Sequence, residues 1–232
     1  MIVDPRVRAS WAAYSTPLEG CVPHLYLDNT GLVTVAIGAL VNSPSAAASL
    51  TGWDNPDGVV ADWARVNAMP PGLVASRYAA PGCPRLTPEG IAAVTALRLD
   101  QAADQLARSF PDFFGWPAEA QAAALSLAWA CGAGWPASWP HLAASCRAGD
   151  WQAAAGNCEI RSAGNPGVVP RNLCQRALFE LAAGVGLEEA LAGIPAGYTG
   201  DAARRALEGL GVAGWDRATL PTGTPSVAPP AT

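Results

Sequence analysis

Apolar residues recur at helical spacing near the start of the chain. Four of them lie three or four positions apart: Val7, Trp11, Tyr14 and Leu18. This spacing predicts an amphipathic helix over residues 4–18, because such positions share one face of a helix. The pattern does not define the residue at which this helix ends, because Pro17 cannot donate the backbone hydrogen bond of a helix interior.

The pattern changes between His24 and Leu40. Two runs rich in β-branched and aromatic residues flank the letters DNTG at positions 28–31, which are residue types that favour a tight turn. This segment predicts a β-hairpin. Residues 41–86 are rich in Pro, Gly, Ser and Asn and predict an irregular insertion with one short helix near Val59–Asn67.

The second half of the chain predicts helices only. At Thr87 a capping hydroxyl precedes Pro88 and Glu89, a typical helix start, and apolar periodicity continues to Ser109. A helix of this length is about 30 Å long, which is enough to connect two lobes. Further helices are predicted at 118–131, 138–147, 150–158 and 170–183.

Beyond about Gly197 one short helix is predicted, at Asp201–Leu210, followed by a Pro-rich tail that we expect to be disordered. The patterns together predict an α+β, mainly α, fold with one domain over residues 1–195. The expected parts are a small lobe over 1–86, a connecting helix over 87–109, a helical lobe over 110–195, and a largely disordered C-terminal extension over 196–232.

Composition narrows the classes of function. The 232 residues are 50% hydrophobic, so the chain can bury a substantial core. The formal net charge of -5 argues against binding nucleic acid or anionic lipid by bulk electrostatics. No apolar run reaches the roughly 20 residues that span a bilayer, so stable membrane insertion is not expected. The first residues lack the apolar segment of a secretory signal, and export is expected to need a separate partner.

Neither the cysteines nor the histidines form a metal-ligand motif. No C-x-x-C pair is present, which argues against a zinc ribbon or a thioredoxin-like redox site. His24 and His141 are the two histidines and lie far apart, so no metal or cofactor is expected. Buried free thiols and disulfides formed in an oxidising compartment are both compatible with the cysteine positions.

The joint between the first helix and the hairpin carries the candidate chemistry. Hydrolysis of a glycosidic bond needs one carboxyl group to protonate the leaving oxygen and a second polar group across the sugar to position water. Glu19 lies just past the predicted helix, Asp28 in the hairpin turn and Thr34 on the returning strand. This arrangement can place Glu19 and Asp28 on opposite walls of a groove, with Gly31 and Gly38 permitting the close turns.

The stretch EGCVPHLYLDNTGLVTVAIGAL at 19–40 resembles the phage-type lysozymes of glycoside hydrolase family 24. Their hallmark is a Glu, eight residues, an Asp or Cys, five residues and a Thr, and here both motif glycines are also in register. Three later stretches resemble the helical part of the family: ALSLAWACG at 124–132, DWQAA at 150–154 and GVVPRN at 167–172. The resemblance covers roughly residues 8–185.

The resemblance implies a role for each motif residue. Glu19 corresponds to the general acid, and Asp28 to the residue that orients or activates the attacking water. Thr34 corresponds to a hydroxyl that helps to place this water, and Arg171 to an arginine that pairs with the catalytic glutamate.

The resemblance also implies a lysozyme-like, two-lobed fold with a groove between the lobes. Gly38 and Leu40 would bind substrate or support the catalytic groups, although Ala39 stands where the family often has His. The implied activity is that of a muramidase, which hydrolyses the β-1,4 bond between N-acetylmuramic acid and N-acetylglucosamine. The reaction would invert the anomeric carbon and need no metal or cofactor.

Two other functions stay open. A lytic transglycosylase works with one essential Glu, so Asp28 and Thr34 favour hydrolysis, and a degenerate lysozyme domain could serve as a wall-binding or phage structural module. We expect a monomer whose partners are peptidoglycan glycan strands, with a holin or secretion partner for export and no nucleic acid. We expect synthesis in the host cytoplasm and action on the cell wall, in the periplasm or outside the cell, as an endolysin, a virion lysozyme or a secreted effector.

Overall fold

The computed structural model describes residues 2–215, and the Pro-rich tail that the sequence predicts to be disordered lies outside them. The described part is mainly helical with a small three-stranded antiparallel sheet, which confirms the predicted α+β, mainly α, class. The strands are β1 (Val22–Leu27), β2 (Val33–Ala36) and β3 (Ala39–Leu40). The helices are α1 (Pro5–Glu19), α2 (Pro44–Ser49), α3 (Val59–Asn67), α4 (Pro88–Ser109), α5 (Ala118–Cys131), α6 (Trp135–Ser138), α7 (Pro140–Ala148), α8 (Trp151–Asn157), α9 (Val169–Ala182), α10 (Leu187–Ala192) and α11 (Tyr198–Leu210).

Helix α1 extends one residue further than the sequence predicts. Its N-cap is Asp4, whose carboxylate accepts a hydrogen bond from a backbone N–H of the first turn. The helix continues through Pro17 and ends with Glu19, so the expectation that Glu19 lies just past the helix is wrong. A proline in the last turn removes only one donor, and the turn is closed by the Gly20 amide, which donates to Thr16 O at 2.9 Å.

The sheet contains the predicted hairpin and one strand more. Strands β1 and β2 pair antiparallel, and β3 pairs with β2 after a turn that the sequence did not reveal. The turn uses left-handed backbone at Ala36 (φ 56°) and Gly38 (φ 70°). Tyr26 lies opposite Thr34, and Thr34 lies opposite Leu40. Because directly paired residues share a face of the sheet, these three side chains form one cross-strand row.

The segment predicted as an irregular insertion is largely folded against the sheet. Helix α3 has the predicted bounds, whereas α2 was missed although Ser43 and Pro44 form a helix start. The Ser43 hydroxyl caps α2 by accepting a hydrogen bond from Ala46 N at 3.1 Å. Trp63 Nε1 of α3 donates to Val41 O at 2.9 Å, which ties the insertion to the end of β3.

Two hydrophobic clusters form the core, and α4 contributes to both. The sheet cluster combines β1, β2, α2 and α3 with Val94 of α4. The helical cluster combines α1 and α5 to α11 with Leu99 and Leu106 of α4. Trp129 of α5 connects the helical cluster to the sheet, since its Nε1 donates to Ile37 O at 3.0 Å. The chain passes from one cluster to the other at residues 19–22, where the candidate acid lies.

The helical half follows the prediction with two additions. Helices α5, α8 and α9 lie within one residue of their predicted bounds. Helix α7 replaces the one predicted over 138–147 and begins at Pro140, which suits a first helical position because its missing N–H would have no partner there. The short helices α6 and α10 were not predicted. No helix among residues 2–215 is both long and apolar enough to cross a membrane.

Helix α11 confirms the short helix predicted at Asp201–Leu210, and residues 196–215 are folded, which corrects the expectation of disorder for that part of 196–232. Helix α11 packs on α1, and its Ala203, Ala206 and Leu207 belong to the helical cluster. At Gly209 the two helices approach so closely that an added Cβ would lie 2.6 Å from the Ala13 carbonyl oxygen. Only glycine fits this contact without a backbone shift.

All six cysteines are free thiols in the structure. Cys21 and Cys131 are exposed, and the other four are buried: Cys83, Cys146, Cys158 and Cys174. Burial raises the pKa of the last three to about 12. These thiols are therefore protonated and unreactive at neutral pH.

Candidate active site

Glu19, at the end of α1, forms an ion pair with Arg171 of α9. Arg171 Nη2 donates to Glu19 Oε1, so the structure contains the pair that the family resemblance implies. The Arg171 side chain is 4% exposed, whereas the Glu19 side chain is 27% exposed. A buried cation thus holds a carboxylate that stays partly exposed to solvent.

A buried polar network holds Arg171 from behind. Arg171 Nη1 donates to Ser126 O and to Ser126 Oγ of α5, both at 2.9 Å. The Tyr14 hydroxyl of α1 donates to the same Ser126 Oγ at 2.8 Å. Burial raises the pKa of Tyr14, so its hydroxyl stays a donor. Three helices therefore converge on one guanidinium and fix the direction from which it meets Glu19.

Gly38 brings the sheet against the candidate acid. A Cβ placed on Gly38 would lie 3.6 Å from Glu19 Oε2 and 3.7 Å from Trp129 Nε1. The backbone of the β2–β3 turn therefore passes beside the carboxylate, and Trp129 lies on the same side. The structure thus places the backbone of Gly38 next to Glu19.

Thr34 is buried on β2 and its hydroxyl is partly engaged. Thr34 Oγ1 donates to Leu32 O at 3.1 Å, and the residue is 3% exposed. The hydroxyl proton is directed to this carbonyl, which leaves the oxygen lone pairs as acceptors. A water beside Thr34 would therefore be bound as a donor.

Asp28 follows β1 and is held by its own turn. Its Oδ1 accepts hydrogen bonds from Thr30 N at 2.8 Å, Thr30 Oγ1 at 2.7 Å and Leu32 N at 2.9 Å. The Asp28 amide also donates to Leu32 O at 3.0 Å, which closes the hairpin. Within the described chain Oδ2 has no hydrogen-bond partner, so one oxygen builds the turn and the other is available to a water molecule.

Tyr26 is a site residue that the sequence motif contains but to which sequence analysis assigned no role. Burial, followed by the negative charges of Glu19 and Asp28, raises the pKa of its phenol to about 12. The phenol is thus close enough to both carboxylates for each to act on it, and it stays protonated at neutral pH. Its position two residues before Asp28, on the same strand face, was the signal that could have revealed it.

Arg98 of α4 is a second cation at the site, and nothing in the sequence pattern indicated it. Its guanidinium carbon lies 5.3 Å from the centre of the Trp129 ring, a cation–π geometry. Burial lowers the pKa of Arg98, and the charge of Glu19 acts in the opposite direction. On an amphipathic helix an arginine is usually a solvated surface charge, which is why spacing alone did not single it out.

A pocket of about 180 Å³ lies beside Arg98, between α4, α2 and β3. Leu40 of β3 lines it and is 40% exposed, so the predicted site residue Leu40 lies at this pocket rather than at the ion pair. The site as a whole combines two carboxyl groups, a neutral phenol and two arginines. Such a set can donate a proton, orient water and bind an anionic or polar substrate.

The remaining observations add no further group to the site. Among residues 2–215, no three His, Cys, Asp or Glu side chains are placed to hold a metal ion together. No protein-family model and no curated protein matches the chain. The functional argument therefore depends on the residues described above and on their contacts.

Proposed function

We propose that this chain is a muramidase that hydrolyses the β-1,4 bond between N-acetylmuramic acid and N-acetylglucosamine in peptidoglycan. The observation that carries the proposal is a partly exposed Glu19 carboxylate that is held by the buried Arg171 and has the backbone of the β2–β3 turn beside it. The proposal includes a lysozyme-like arrangement in which each hydrophobic cluster forms one lobe and the substrate groove lies between them.

Glu19 acts as the general acid. In its protonated form it donates to the glycosidic oxygen as the bond to the leaving sugar breaks. The Glu19 carboxylate that results is then stabilised by Arg171, which the Ser126 network keeps in place.

Asp28 and Thr34 act on the water side of the bond. The free Oδ2 of Asp28 accepts a hydrogen bond from the attacking water and takes its proton as the new C–O bond forms, while Oδ1 remains bound in the turn. The lone pairs of the Thr34 hydroxyl accept a second hydrogen bond from the same water. A water held in this way attacks the face opposite to the leaving oxygen, so the reaction inverts the anomeric carbon.

The test is the release of reducing ends from purified peptidoglycan by the full chain and by Glu19→Gln. Glutamine can accept the Arg171 hydrogen bond but cannot protonate the leaving oxygen. We therefore expect the rate to fall at least about 10²-fold, the lower range for lost acid catalysis. Glu89→Gln, at an exposed carboxylate in the first turn of α4, is the matched control and should keep the wild-type rate.

The products separate the alternatives. Mass spectrometry should find muramic acid with a reducing end, whereas a lytic transglycosylase leaves an anhydro end. Equal rates for wild type and Glu19→Gln would mean that Glu19 takes no part in the reaction. A wild-type chain that binds peptidoglycan and releases no ends would instead be a wall-binding module.

A further inference from the structure

The Arg98 guanidinium has no ion pair or hydrogen bond within the described part of the chain. Among the described residues it makes a cation–π contact with Trp129. The side chain is half-buried, and burial lowers its pKa, so part of its solvation by water has been lost. An arginine in this condition gains from an anionic ligand that supplies the missing hydrogen bonds.

The position of Arg98 is fixed in advance by its neighbours. The Trp129 ring over which its guanidinium carbon lies is 7% exposed and is anchored by the hydrogen bond from Nε1 to Ile37 O at 3.0 Å. Contact with an anchored ring limits the positions that the guanidinium can take. A ligand therefore meets an ordered cation and has a smaller entropic cost of binding.

The pocket beside Arg98 has both apolar and polar walls. Its apolar side chains include Leu40 and Leu97, which are 40% and 51% exposed. Its polar side chains are Ser49, Arg98 and Gln101. Exposed leucines next to a free guanidinium suit a short aliphatic group that ends in a carboxylate.

The charges around the pocket also favour an anion. Glu19 is the nearby carboxylate that acts on Arg98, and Arg171 already pairs with it. Close to Arg98 the site therefore contains two arginines, Arg98 and Arg171, and one carboxylate, Glu19. Asp28 is not among the charged groups that act on Arg98.

We infer that Arg98 and the pocket lined by Leu40 and Leu97 bind a carboxylate that the substrate carries beside the scissile bond. This inference rests on the proposed muramidase function for the identity of the substrate. In peptidoglycan two groups carry such a carboxylate: the stem peptide, and the lactyl group of a muramic acid from which the peptide has been removed. Both end a short aliphatic segment, which matches the walls of the pocket.

Binding is measured in the Glu19→Gln background, so that the result does not depend on cleavage. Glu19→Gln and Glu19→Gln/Arg98→Gln are titrated calorimetrically with soluble glycan chains in three forms: peptide-bearing, peptide-free, and peptide-bearing with every carboxylate converted into a neutral amide. We expect amidation to weaken binding to Glu19→Gln about tenfold, the effect of one charge-assisted contact. The double variant should bind the native and amidated chains equally. The peptide-free chain tests the second source: binding as tight as that of the native peptide-bearing chain shows that a free lactyl carboxylate also occupies the pocket, whereas tenfold weaker binding shows that only the stem peptide does.

Arg108→Gln in the same background is the control, because Arg108 is an exposed arginine in the last turn of the same helix. It should keep the tenfold difference between native and amidated chains. Equal binding of both chains by Glu19→Gln, or an undiminished difference in the Arg98→Gln double variant, overturns the inference. Failure of the proposed function is seen separately, as a wild-type chain that releases no reducing ends.

Discussion

The two candidate carboxyl groups are held in opposite ways. Glu19 pairs with an arginine 152 residues further along the chain, and that arginine is held by helices α1 and α5. Asp28 is bound by groups no more than four residues away, all within its own turn. The position of Glu19 therefore depends on the packing of the helical cluster, whereas the position of Asp28 depends on the local hairpin.

This difference suits the two proposed tasks. A proton donor gains from a buried cation that stabilises its carboxylate after transfer, and a buried cation requires tertiary structure to satisfy its donors. A residue that holds water needs a free oxygen on a rigid turn, which a short segment can supply. Substitutions on the Glu19 side should consequently affect stability, and those on the Asp28 side should affect mainly the rate.

The largest effect is expected for Arg171→Met. The substitution leaves Glu19 without its partner and removes two donors from Ser126, so we expect the free energy of unfolding to fall by about 3 kcal/mol. This is the lower end of the range for a broken buried pair, because Glu19 is 27% exposed and can be solvated. Urea denaturation measures the loss.

Arg176→Met on the same helix is the matched comparison. Arg176 forms a surface pair with Glu180, and its side chain is 42% exposed. We expect it to cost less than about 1 kcal/mol. Equal losses for the two variants would mean that the Arg171 network does not stabilise the fold.

The second-largest effect is expected for Asp28→Asn. Asparagine keeps a carbonyl oxygen for the turn but is a poor acceptor for the attacking water, so kcat should fall about 100-fold. The free energy of unfolding should change by less than about 0.5 kcal/mol. Reducing-end kinetics and urea denaturation together check both expectations.

Asp28→Ala tests the structural role of Asp28 in its turn. It removes the acceptor of three hydrogen bonds, so it should lose as much activity as Asp28→Asn and additionally about 1 kcal/mol of stability. An Asp28→Asn variant with wild-type kcat would show that Asp28 has only a structural role.

The smallest effect is expected for Tyr26→Phe. Because the pKa of Tyr26 is raised to about 12, its phenol is neutral throughout the working pH range and donates at most one hydrogen bond to substrate. Its loss should lower kcat/KM about three- to tenfold. The alkaline limb of the pH profile should be the same in both proteins, since a group with this pKa does not titrate below about pH 11.

Tyr198→Phe on α11 is the control, because Tyr198 is 87% exposed. It should leave kcat/KM unchanged. A shift of the alkaline limb in Tyr26→Phe alone would mean that the phenol loses its proton during the reaction.

Local signals were sufficient to predict much of the fold. The bounds of α3 and the start of α4 follow from apolar spacing and from the Thr87 cap, which act over a few residues. The same kind of signal at Ser43 was overlooked because α2 lies in a segment rich in turn-forming residues. The packing of α11 could not be predicted, since it depends on the close approach of Gly209 to Ala13, two residues far apart in sequence.

In the candidate site, too, local signals predicted some residues, and tertiary packing places the others. Asp28 and Thr34 were predicted with their turn, because the hairpin is a local structure. The link from Glu19 to Arg171 came only from the family resemblance, since no spacing rule relates two residues so distant in the chain. Arg98 was not predicted at all, because its place beside Trp129 results from how α4 packs against α5.

The configuration of the first product most directly tests whether the two carboxyl groups have different tasks. Proton NMR of soluble glycan chains during early cleavage shows the anomer at each new muramic acid end before it equilibrates. The account predicts the α-anomer, which results when Asp28 directs water to the face opposite the oxygen that Glu19 protonates. Initial release of the β-anomer, or of an anhydro end without any anomeric proton of a reducing sugar, would contradict it.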